Sequence, residues 1–282
     1  MTKCLVCREA MDPVNNEHGT HPGCDLKLLS VAEDEDPFAA MIKREIMDMV
    51  KWADNQNPRT HQQAIGPSEV GSLCDRRLGY RLSGIPKCNV DFDPWPSIMG
   101  TAIHSWLDAS MQAYMRNTGS QAWLTETRVK VSEFVHGRAD LYQRDRKSVV
   151  DYKTAGPDVM RKVMKEGPPI GYQIQLHVYG LGFEQMGHPV EKVCLVFLPR
   201  AGWLKDTYVW CADYNRDVAL GAMVRLQEIA QQILDLDILM DGNSHRWEQI
   251  EATPGNECGF CPWYDPGRDA ERGADATGCP GR

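Results

Sequence analysis

Between Thr127 and Thr154 apolar and polar residues alternate: Thr127-Arg128-Val129-Lys130-Val131, then Phe134-Val135-His136-Gly137, then Ser148-Val149-Val150-Asp151-Tyr152-Lys153-Thr154. Alternation sends successive side chains to opposite faces of a sheet, so this stretch is read as an antiparallel meander. Helical spacing appears on both sides of it. Phe38, Ile42, Ile46, Met49 and Val50 mark a helix over 38–54, and Pro67-Ser68-Glu69 opens another that runs to about Leu82. Met99–Met115 and Ile170–Glu184 are further helices, Lys192–Pro199 and Leu204–Trp210 two further strands. Tyr214–Met240 is a long amphipathic helix with Met223, Leu226, Ile229, Ala230 and Ile233 on one stripe. This order of elements indicates α/β or α+β.

At 282 residues the chain is long enough to bury a core, and 42 % hydrophobic residues exclude wholesale disorder. No run approaches the roughly 18–20 apolar residues of a membrane span. Met1-Thr2-Lys3-Cys4 lacks the apolar stretch of a signal peptide, so a soluble, cytoplasmic protein is expected. The net charge of −8 excludes a general cationic coat for nucleic acid but not a local basic track.

Ten cysteines in a chain with no export signal point to metal ligation rather than disulfides. Residues 1–30 have no sizeable apolar face and would need a metal staple. Cys4 and Cys7, then His21 and Cys24, give zinc-finger spacing, with His18 as a competing ligand. Residues 31–66 are an acidic linker and helix; 67–282 form the main domain. Cys258, Cys261 and Cys279 lie in a cysteine-rich tail. Cys194, in an apolar strand, and Cys211, just after one, are read as buried hydrophobes.

The chemistry centres on Gly137-Arg138-Ala139-Asp140 and Asp151-Tyr152-Lys153. Asp151 and Lys153 share a strand face. With Asp145-Arg146 as a two-residue loop, Asp140 falls directly opposite Asp151. Two such carboxylates repel unless a cation lies between them, and a divalent ion with oxygen ligands fits. Read without further context, the same hairpin is a surface element with a cross-strand salt bridge.

Taken with their surroundings, these residues resemble the PD-(D/E)XK nuclease superfamily, and within it the RecB-type exonucleases. Four elements carry the resemblance, in order: Gly100-Thr101-Ala102-Ile103-His104, Gly137–Asp140, Val149-Val150-Asp151-Tyr152-Lys153, and Gln175-Leu176-His177-Val178-Tyr179. It implies a restriction-endonuclease-like α/β core, a mixed sheet flanked by helices, and metal-dependent DNA hydrolysis. His104, Asp140, Asp151 and the Tyr152 carbonyl would hold Mg²⁺ or Mn²⁺, and Lys153 would orient or deprotonate the attacking water. Gln175 and Tyr179 would contact the substrate strand or brace the ligands. Glu126, just before the first strand, is a weaker candidate for supporting the ligands, and a solvated strand charge is its better reading.

The cysteine tail resembles that of a RecB-type branch with a four-iron four-sulfur cluster, which includes the fourth CRISPR-associated protein family. Cys74, followed by Arg76, Arg77 and Tyr80, resembles its leading segment; Cys258, Cys261 and Cys279 resemble the trailing three. Zinc is the alternative occupant, and Cys88 the reserve ligand. The Cys261–Cys279 gap is longer than the family's. Arg76, Arg77 and Arg81, and Arg161, Lys162 and Lys165, are candidate DNA-binding residues; the hairpin-tip Arg144, Arg146 and Lys147 are better read as a solvated face. The resemblance implies an exonuclease on DNA, favouring single-stranded ends, with 5′ to 3′ polarity left open, working with recombination, repair or phage-replication proteins. A CRISPR spacer-acquisition nuclease and a non-catalytic DNA- or protein-binding adaptor are the alternatives.

Overall fold

Asp36 and Pro37 start the first described helix, α1 (Pro37–Asn55), of the computed structural model. The Asp36 carboxylate accepts the Phe38 N–H at 2.7 Å, and Pro37 takes a first-turn position where no amide partner is needed. The structure describes residues 36–56, 65–89, 93–240, 242–253, 258–266 and 278–281. Contacts divide the chain into two units, residues 1–60 and 61–282. In the first unit, α1 carries the expected apolar stripe, with Phe38, Ile46 and Met49 exposed. The knuckle ligands Cys4, Cys7, His21 and Cys24 lie outside the described residues.

The second unit is built on a five-stranded mixed sheet. Its strands are β1 (Trp123–Lys130), β2 (His136–Gln143), β3 (Ser148–Ala155), β4 (Lys192–Pro199) and β5 (Tyr208–Asp213), adjacent in that order. All neighbours are antiparallel except β3 and β4. A parallel pair needs a crossover, supplied here by α5 (Pro157–Glu166) and α6 (Ile170–Gln185). The fold is thus the expected α/β architecture, a mixed sheet flanked by helices.

Helix α6 is the central support. Gln175 to Phe183 are all buried, as expected of a helix covered on every side. On one side Leu176, Tyr179 and Phe183 pack with Val129, Ala139, Tyr142 and Val149 of the sheet. On the other, Val178 and Leu181 join a second core with α3 (Asp75–Leu82) and α7 (Arg216–Asp235), where Tyr80, Ile229 and Trp247 meet. Leu226, Ile229 and Ile233 of the α7 stripe are buried as expected. Helix α4 (Trp95–Thr118) contacts β1 and β3.

Four details depart from the sequence reading. The helix expected over 67–82 is two, α2 (Pro67–Val70) and α3, broken beside Gly71. A Cβ on Gly71 would lie 2.2 Å from the Gly171 carbonyl oxygen, so α2 and the start of α6 touch backbone to backbone. Gly71→Ala is therefore expected to cost about 3 kcal/mol, since neither backbone can yield without moving its helix. Chemical denaturation checks this: a shifted midpoint with unchanged slope is predicted. Helix α5 was not anticipated, although Pro157 at its first turn and the inward Met160 and Val163 signal it. The last strand runs 208–213, with a 3₁₀ turn at Leu204–Asp206 before it. Cys194 and Cys211 are not separate buried hydrophobes: they are register partners on β4 and β5, and their sulfurs form a disulfide.

Candidate active site

The β2–β3 hairpin has the expected register, with Leu141 opposite Val150, Tyr142 opposite Val149 and Gln143 opposite Ser148. The turn is longer than expected, spanning 144–147, with Lys147 at φ 48° and the Gln143 side chain accepting the Arg146 N–H. Past Leu141 and Val150 the paired ladder ends. Asp140 fills the opening: its Oδ2 accepts the Tyr152 N–H at 2.7 Å. The side chain thereby replaces a missing strand-to-strand bond and holds its other oxygen toward α4. There His104 Nδ1 lies 3.1 Å from Asp140 Oδ1.

Glu126 completes this group. One donor atom each from His104, Glu126 and Asp140 lie within 4.8 Å of one another. Glu126 sits inside β1, not before it, and its φ of 42° is left-handed. The pairs on either side, Thr125 with Leu141 and Thr127 with Ala139, keep one register, so Glu126 falls opposite Asp140. A non-glycine residue held in that region mid-strand is strained, and such strain concentrates at functional sites. Burial raises the Glu126 pKa, and the negative charges of Asp140 and Asp108 raise it further. Burial opposes the charged form of His104, but the hydrogen bond and charge of Asp140 outweigh it and raise its pKa.

The partner strand supplies a second, linked set. Asp151 is buried, its Oδ1 accepting from Gln175 Nε2 at 2.9 Å and its Oδ2 2.6 Å from Lys153 Nζ. That ion pair is close but poorly aligned, so Oδ2 makes no well-directed hydrogen bond. Lys153 Nζ also donates to Gln175 Oε1 at 3.1 Å and lies 4.8 Å from the Tyr172 ring centre. Burial disfavours the Lys153 ammonium, yet Asp151 more than offsets this and keeps the pKa above its ordinary value. Burial, with the nearby charge of Asp140, raises the Asp151 pKa. Buried carboxylates with raised pKa values form a site short of positive charge, which a divalent cation would supply.

The residues present fit such an ion. Two ligands at right angles about 2.1–2.2 Å from one metal lie about 3 Å apart, the separation already seen between His104 and Asp140. Of the expected ligands, His104 and Asp140 converge, whereas Asp151 is engaged by Lys153 and Gln175. Tyr152 enters the site through its N–H, which donates to Asp140. Gln175 grips Asp151 and Lys153 together, and Tyr179, also buried, donates its hydroxyl to the Arg138 carbonyl at 2.7 Å. Both therefore brace the strands. The sequence leaves Glu126 a weaker candidate; its place inside β1, opposite Asp140, brings it into the group.

Elsewhere in the domain, Cys74, Cys258, Cys261 and Cys279 line one cavity of about 230 Å³. Backbone pairing closes the long Cys261–Cys279 gap: the Cys279 N–H donates to the Trp263 carbonyl and the Asp265 N–H to the Cys279 carbonyl. Cys88 is not among the residues lining the cavity. The first expected basic track is not there. Arg76 is 5 % exposed and donates to the Ile250 and Glu248 carbonyls and to Cys279 Sγ. Arg77 lines the cysteine cavity, and Arg81 pairs with Glu69 at 2.8 Å. These side chains join α3 to the rest of the domain. Arg161, Lys162 and Lys165 are exposed on α5, with Arg161 paired to Asp158.

Comparison with known proteins matches residues 116–265 to the family described as the PD-(D/E)XK nuclease superfamily. Among solved structures, SSO0001 is 19 % identical with a TM-score of 0.44, over 79 % of this chain and 94 % of that one. An alkaline exonuclease from Laribacter hongkongensis is 12 % identical with a TM-score of 0.43, over 61 % and 89 %. A phage-related exonuclease from Haemophilus somnus 129PT is 15 % identical with a TM-score of 0.39, over 57 % and 81 %. No curated protein matches the chain.

Proposed function

Because the chain belongs to the PD-(D/E)XK nuclease superfamily, we propose that it hydrolyses DNA phosphodiester bonds with a divalent cation held by His104, Glu126 and Asp140. One observation carries this reading: residues from α4, β1, β2, β3 and α6 meet where β2 and β3 part. A bound Mg²⁺ or Mn²⁺ supplies a lowered water pKa and a countercharge for the phosphoryl oxygens. The chain's own groups do the positioning. Asp151 and Gln175 fix Lys153, whose retained charge suits it to orient water and stabilise developing negative charge rather than to act as a base. A pure DNA binder would gain nothing from burying so many uncompensated charges.

The RecB-type motif set, His104, Asp140, Asp151-x-Lys153 and Gln175-x3-Tyr179, supports exonucleolytic action from strand ends. End-labelled single- and double-stranded DNA incubated with Mn²⁺ tests this. Stepwise loss from the ends, abolished by EDTA, is the expected result; intact DNA, or internal cuts only, would contradict it.

The cysteine cavity fits a four-iron four-sulfur cluster better than zinc. Zinc at about 2.3 Å from each sulfur draws its thiolates to about 3.8 Å apart. Among the described residues no three of these sulfurs lie within 4.8 Å of one another, and they surround a cavity large enough for a polyatomic group. Arg76 donates at 3.6 Å to the Sγ of Cys279, one of the residues that line this cavity.

A further inference from the structure

Arg128 on β1 and Arg138 on β2 are direct register partners, and both are exposed. Their sequence neighbours Val129 and Ala139 pack in the core with α6. The two guanidinium groups therefore leave the sheet on the face away from that core. Neither makes an ion pair or a side-chain hydrogen bond among the described residues. Like charges directly opposite on a sheet destabilise it. The acid that Arg138 influences, Glu126, lies one rung along and is turned into the His104–Asp140 group. On the other side, Lys130 is answered by Glu133 at 2.6 Å.

An anion between the two arginines converts their repulsion into attraction on both sides, and a phosphate presents oxygens that match the guanidinium fork. The rung they form lies two residues from the Glu126–Asp140 rung, about 6.6–6.8 Å away. That is close to the step between successive phosphates of a stretched strand. We propose that Arg128 and Arg138 clamp the phosphate adjacent to the one being cut, so that the site reads two consecutive phosphates. The inference rests on the nuclease reading above and adds a substrate-positioning pair to it.

The test measures anisotropy of a 5′-fluorescein oligodeoxythymidylate with the whole protein in EDTA, where nothing is cleaved. R128Q/R138Q is expected to bind at least about tenfold more weakly. Its plot of log K against log salt flattens by about 0.7, the share of one neutralised phosphate on a single strand. It also melts no lower than the wild type, because a repulsive pair has been removed. R128K/R138K keeps the charges and retains the salt slope. R144Q/R146Q makes the same charge change at the far end of β2 and loses less than about twofold. An unchanged affinity and slope in R128Q/R138Q would overturn the clamp, as would weakening with an unchanged slope. A wild-type protein that does not bind the oligonucleotide at all would instead overturn the nuclease reading, clamp included.

Discussion

Asp140→Asn is expected to lower kcat/KM for DNA cleavage by at least about a thousandfold, some 4 kcal/mol of transition-state stabilisation. The substitution is nearly isosteric. An Asn carbonyl can still accept the Tyr152 N–H that Asp140 Oδ2 now takes at 2.7 Å, so the join between β2 and β3 survives. What disappears is the charge that faces His104 and Glu126. Without it the group cannot neutralise a divalent ion, and the countercharge to the phosphoryl oxygens goes too. Lys153→Met should fall as far by another route. It removes the Lys153 ammonium, proposed to face the reacting phosphate, but leaves the His104–Glu126–Asp140 group in place. The two variants therefore separate on metal: Mn²⁺ titration by calorimetry should show binding lost in Asp140→Asn and kept in Lys153→Met. Cleavage within tenfold of wild type in either variant would remove that residue from the chemistry.

The second large effect is expected at the cysteines. Protein purified without oxygen should be brown and carry about four iron and four sulfide per chain, and Cys279→Ser should lose most of both. The same variant should melt about 10 °C lower, because a cluster bound there would tie the tail to α3. The tail is also tied by the Cys88 and Asn89 N–H groups, which donate to the Pro262 carbonyl, by Arg76 on Cys279 Sγ and by the buried Trp263 beside Tyr80. Tyr80 donates its hydroxyl to the Gly278 carbonyl at 3.3 Å, Trp263 its indole N–H to the Ile85 carbonyl at 2.9 Å, and Asn89 its amide to the Cys261 carbonyl at 3.0 Å. Zinc in place of iron in the anaerobic protein would contradict the cluster, and an unchanged melting temperature in Cys279→Ser would contradict its structural role.

What the sequence made legible follows one rule: features set by local periodicity could be read, and features set by distant contacts could not. The meander, the hairpin register and the shared face of Asp151 and Lys153 come from a period of two. Gln175 and Tyr179 come from the resemblance to the RecB-type motif, and helical spacing adds that they share a face. The break at Gly71 comes from a backbone a hundred positions away in the chain, at Gly171. Arg76 looks like a surface arginine until residues 248–250 and Cys279 fold over it. Cys194 and Cys211 pair because β4 and β5 meet in one register among several that their sequences allow. Glu126 is the hardest case, since one strained φ turns an ordinary strand glutamate into the third member of the group. Helix α5 was readable from Pro157 and its inward Met160 and Val163.

The proposed chemistry needs one cation among three side chains, His104, Glu126 and Asp140. Crystals grown with Mn²⁺ and measured near the manganese absorption edge would locate it by anomalous scattering. The account predicts a peak about 2.2 Å from His104 Nδ1 and from an Asp140 oxygen, with Glu126 turned toward it. Manganese bound elsewhere in the domain, in protein that digests DNA, would contradict it.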